Sequence, residues 1–66
     1  MATTVSYEVY SLREGHWNLD SVYDDRGLAL HEARHLLKRR HEKGVKVVKE
    51  NYDDEINKSI PTTIFH

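Results

Sequence analysis

Only one segment of this chain carries a helical period, so the rest of any ordered fold has to be built from strands. Ala29, Leu30, Ala33, Leu36 and Leu37 fall within about 120° of arc at 100° per residue, forming one apolar stripe. Asp24 and Asp25 precede the stripe, with side chains suited to accept from free helix N–H groups and to sit at the positive end of the dipole. Lys38, Arg39, Arg40 and Lys43 gather toward the negative end, and Gly44 is placed to close the helix in the left-handed conformation. The spacing predicts a helix over 26–43.

On both sides of this helix the period is two. Val5, Tyr7 and Val9 alternate with Ser6, Glu8, Tyr10 and Leu12 to make a first strand, and the glycine of Arg13-Glu14-Gly15-His16 suits a hairpin turn. A second strand over 17–23 puts Trp17, Leu19 and Tyr23 on one side and Asn18, Asp20 and Val22 on the other. A third runs over 45–50, and 51–58 is polar and turn-like. A fourth over 59–65 is confined by Pro61 to an edge or a strand start. The expected fold is α+β, ββαβ(β): a single small domain over 1–66 with a mainly antiparallel sheet of three to four strands and one amphipathic helix on one face. Val5, Tyr7, Val9, Trp17, Leu19, Tyr23, Val45 and Val47 are the expected sheet side of the core.

With 66 residues, about 40% of the unfolded surface stays exposed after folding, which leaves little material for a deep substrate cleft. The 38% apolar content and net charge of −1 favour a folded chain over a disordered one. The absence of cysteine excludes a disulfide framework, a thiolate zinc site and a thiol nucleophile. The first six residues lack the basic and apolar regions of a secretory leader, and no apolar stretch approaches the roughly 20 residues of a membrane span. A cytoplasmic location is the expectation. The three glycines are scattered at Gly15, Gly27 and Gly44, so no phosphate loop forms and no cofactor is expected.

His31-Glu32-Ala33-Arg34-His35 resembles the zinc-metalloprotease signature H-E-x-x-H, and His41 stands where the metzincin subgroup has its third histidine. That resemblance implies His31, His35 and His41 as zinc ligands and Glu32 as general base. The metzincin glycine that turns the chain is Lys38 here. A continuing helix therefore carries His41 about 120° around from His35. With Ala33 facing the core, His31 and His35 lie at about 160° and 200°, on the outer side. The expected reading is a charged helix surface with no metal and no catalytic residues, and a zinc-dependent hydrolase is the third-ranked function.

Seven Lys or Arg stand in 34–49 against one acid, Glu42. This basic segment makes a nucleic-acid-binding module the second reading, with Tyr10 and Tyr52 as stacking platforms. The first reading comes from the sheet. One helix covers one face, and the other is expected to hold Tyr10, Leu12, Val22, Val48 and Tyr52. That is more apolar surface than a solvated face needs. The expected function is a non-catalytic interaction or accessory module that uses this face, or an edge of the sheet, to bind a protein partner or a second copy as a homodimer.

Overall fold

A computed structural model describes residues 3–66; Met1 and Ala2, the start of the segment read for a leader, lie outside the described residues. The element order is β1 (Thr3–Arg13), β2 (His16–Tyr23), α1 (Arg26–Arg39), β3 (Val45–Asp53) and β4 (Lys58–Phe65). The strands form one antiparallel sheet in the order β2-β1-β3-β4, and the expected α+β fold is present with its fourth strand. No helix among the described residues is long and apolar enough to cross a membrane.

Local chemistry explains the turns. Glu14 and Gly15 form the two-residue β1–β2 connection with φ of 52° and 78°, the two left-handed positions that match the twist of a tight hairpin. At the start of α1 the Asp25 carboxylate accepts from the Leu28 N–H at 3.0 Å. The helix stops at Arg39, four residues earlier than the charge pattern predicts. The left-handed residue that ends it is His41, with φ of 52°, and the Glu42 N–H donates to the Leu36 carbonyl. Gly44 has a different task. A Cβ there would stand 3.2 Å from the Leu12 Cβ and 3.4 Å from the Trp17 ring, so the missing side chain makes room for both. β3 runs to Asp53, because Asn51, Tyr52 and Asp53 pair with Val5, Thr4 and Thr3 instead of turning.

The helix lays Ala29, Ala33 and Leu36 on Val9, Val45 and Val47, with Tyr7, Tyr23, Leu30, Ile64 and Phe65 packed around them. Leu36 is fully buried, whereas Leu37 is 39% exposed, so the inward stripe is narrower than the five-residue one read from the sequence. Two alanines over Val9 and Val47 bring helix and sheet close. Ser11, beside Val45 in register, is 1% exposed, and no buried side-chain polar atom among the described residues lacks a partner.

The sheet side of the core differs from expectation in two respects: Val5 lies outside the core cluster, and two residues of β2 change face. Between Val9 and Tyr10 the β1–β2 register shifts, and Asp20 is the extra residue of a bulge. Tyr23 and Ser21 oppose Tyr7 and Val9 on the helix side, but Leu19 and Trp17 then oppose Tyr10 and Leu12. A one-residue insertion inverts every side chain beyond it. Trp17 and Leu19 therefore lie on the face away from the helix, outside the core to which alternation assigned them.

Truncating Leu36 to Ala is expected to cost about 3 kcal/mol, against less than about 1 kcal/mol for Leu37→Ala, in urea unfolding. Replacing His41 with Gly relieves a left-handed non-glycine residue, and should raise stability by about 1 kcal/mol, or several degrees in a thermal melt.

Candidate functional site: the open face of the sheet

Strand pairing arranges the open face in rows across the sheet. Trp17 stands beside Leu12; Leu19, Tyr10 and Lys46 make the next row; Val22, Glu8, Val48 and Thr63 the next; then Ser6, Glu50 and Pro61; and last Thr4, Tyr52 and Ser59. Tyr10, Leu12, Val22 and Val48, expected on this face, share its helix C-terminal half with Trp17 and Leu19. Tyr52 is on the same face but six residues along β3 from Lys46, about 20 Å away. Its hydroxyl donates to the Asn57 side-chain carbonyl in the β3–β4 loop, tying it to that end.

Lys46 organises the aromatic end. Its Nζ lies 5.3 Å from the Tyr10 ring centroid and 4.5 Å from that of Trp17, within cation–π range of both. The His66 ring meets Trp17 edge-on at 5.8 Å. The Tyr10 hydroxyl donates to the Glu8 carboxylate at 2.8 Å. That bond, then burial, then the charges of Glu8 and Glu50 hold the Tyr10 phenol above its ordinary pKa of 10.0. Glu50 accepts from the Ser59 hydroxyl at 2.6 Å. The acids that interleave this face are thus fixed by neighbours, and the apolar side chains between them stay open: Leu19 and Val22 are 53% and 52% exposed, while Val48 is nearly covered.

Both rims of the sheet are poor templates for another strand. β2 carries the Asp20 bulge, and β4 carries Pro61, which has no N–H, as well as a second irregularity that sends both Ile64 and Phe65 toward the core. Bulges and edge proline are the devices that block strand addition. Both rims thus carry features that disfavour addition of a further strand.

The helix motif is placed as follows. His31 and His35 are exposed on the outer surface, Glu32 is half-buried on its flank, and His41 lies beyond the helix end. Among the described residues no group of three or more His, Cys, Asp or Glu is gathered around a common point that would hold a metal. The basic segment is divided as well. Arg34, Lys38 and Arg39 lie on the outer helix surface, whereas Lys46 and Lys49 point to opposite faces of β3. Sequence reasoning missed Trp17 and Leu19 at the open face. The available signal was the apolar spacing itself, which steps by two from Trp17 to Leu19 and by three from Leu19 to Val22. Comparison with protein-family models, curated proteins and solved structures finds no match, so geometry carries the functional argument.

The raised Tyr10 pKa means its bond to Glu8 supports the fold at neutral pH, and the contribution is lost as pH rises above 10 through the folded-state value. Glu8→Gln is expected to bring the phenol back toward its ordinary value, read by ultraviolet absorbance titration of tyrosinate.

Proposed function

We propose that this chain is a non-catalytic interaction module whose open sheet face pairs with a second copy of itself. The observation that carries the reading is the bulge at Asp20, which adds Trp17 and Leu19 to Tyr10, Leu12, Val22 and Val48 on the uncovered face. Leu19 and Val22 are more than half exposed and Trp17 is 36% exposed on this face, where no helix covers them, and the irregular rims favour face-on contact.

Charge order on the face favours self-pairing. Along β3 the open-face residues run Lys46, Val48, Glu50. A two-fold axis crossing the strands at Val48 reverses this order in the second copy, setting Lys46 of each against Glu50 of the other and Val48 against Val48. The molecule measures 41 × 24 Å in its two longer dimensions, bounding the face at roughly 1,000 Å². Covering most of that reaches the ~800 Å² per partner of a standard interface.

Sedimentation across a micromolar-to-millimolar series tests this. The mass should rise toward a dimer, and Leu19→Glu, at an exposed position that does not support the core, should weaken association at least ~10-fold, about 1.4 kcal/mol. Lys46→Glu and Glu50→Lys should each weaken it, and the two together should restore it. A monomer at every concentration would overturn the reading; failure of the double exchange to restore pairing would overturn the two-fold arrangement.

A further inference from the structure

The second surface with a chemical bias lies on the opposite side of the molecule. His31, Arg34, His35, Lys38 and Arg39 line one shallow depression of about 380 Å³ on the outer helix surface. Their positions are i, i+3, i+4, i+7 and i+8, which places all five on one stripe directly behind Ala33 and Leu36. The seven basic residues of 34–49 look dispersed in the sequence, yet three of them converge here, joined by two imidazoles that supply N–H donors. No carboxylate lines the depression; Glu32 stands on its flank, half-buried.

The charge is polarised along the long axis. The helix C-terminus sits at the end of the molecule where the Leu12 N–H donates to the Gly44 carbonyl. Asp53, at the end of β3, with Asp54 and Glu55 in the β3–β4 turn, lies at the other end. The net charge of −1 is thus unevenly spread: the Asp53, Asp54 and Glu55 cluster is remote from the basic stripe, which has Glu32 on its flank and Asp25 and Glu42 at the two helix ends.

The geometry points to a binding site for the phosphate backbone of duplex nucleic acid on this stripe. From His31 to Arg39 the helix rises about 12 Å, carrying three fixed positive charges along a ligand that presents one negative charge per about 1.7 Å of axis. A helix of 10–12 Å diameter matches a duplex groove about 12 Å wide. The stripe has no aromatic side chain on which single-stranded bases would stack. Leu28 and Leu37 are the large exposed apolar residues of the helix, too little to anchor a helix in a lipid surface. Recognition is through phosphates and independent of base sequence.

The test is fluorescence anisotropy of the full chain with a labelled mixed-sequence DNA duplex of about 20 base pairs, long enough to span the stripe. Binding at low salt should weaken with a log–log salt slope of about −2.7, the value for three phosphates neutralised. Arg34→Gln with Lys38→Gln should weaken binding at least tenfold and flatten the slope toward about −1. Lys58→Gln, at the acidic end, should change neither. Both altered side chains are exposed, and circular dichroism verifies that the helix persists. No binding at low salt, a slope near zero, or unchanged binding in the double variant would each overturn the site. So would binding to phosphatidylserine vesicles in the absence of binding to DNA. Leu19→Glu, on the opposite face, separates this site from self-pairing: the monomer it produces should still bind through its helix.

Discussion

The mismatch in length between the helix and the strands governs this molecule. Fourteen helical residues extend about 21 Å, whereas the eleven residues of β1 extend about 36 Å. The helix covers one end of one face, where Val9, Val45 and Val47 meet Ala29, Ala33 and Leu36, and the sheet runs on without it. The radius of gyration of 12.7 Å exceeds the roughly 11 Å typical of a compact chain this long, as a projecting sheet requires. Val5, Asn51 and Ile60 lie on the helix side of that projection, beyond the reach of α1. A core this small leaves little margin, so its few fully buried side chains carry a large share of the stability.

From that constraint follows the contrast between the two broad surfaces. The sheet face away from the helix is apolar and aromatic toward the helix C-terminal end and polar toward the other, with Glu8 and Glu50 each held by a hydroxyl. The outer helix surface is basic and exposed. Alanine at the helix–sheet contact keeps the layers close, and because only Ala29, Ala33 and Leu36 are buried, with Leu30 packed beside them, the outer arc of α1 is left to carry charge.

Much of this was legible in the sequence, for physical reasons that particular residues make plain. The Asp25 cap, the Glu14-Gly15 turn, the inward Ala33 and the edge position of Pro61 each follow from one residue's local chemistry, and each is found where that chemistry puts it. Alternation failed at Asp20, because period-two reasoning propagates a single insertion into an error of face for everything beyond it. Helix length failed at its C-terminus, because basic residues stabilise a helix end without specifying which residue terminates it. Gly44 drew the reading of a cap, while its need for a missing Cβ came from Leu12 and Trp17, contacts distant in sequence. The open-face residues Tyr10, Leu12, Val22 and Val48 were within reach of alternation alone; the addition of Trp17 and Leu19 required the register.

The protected outer strands have a further consequence for how copies of this chain add to one another. A flat sheet with two free rims grows without limit, each new strand offering the same ladder to the next. Here Asp20 bends one rim and Pro61 with the Ile64 irregularity spoils the other, so neither rim offers an unbroken ladder to a further strand. A chain with so much uncovered sheet is thereby protected from growing strand by strand into a fibre.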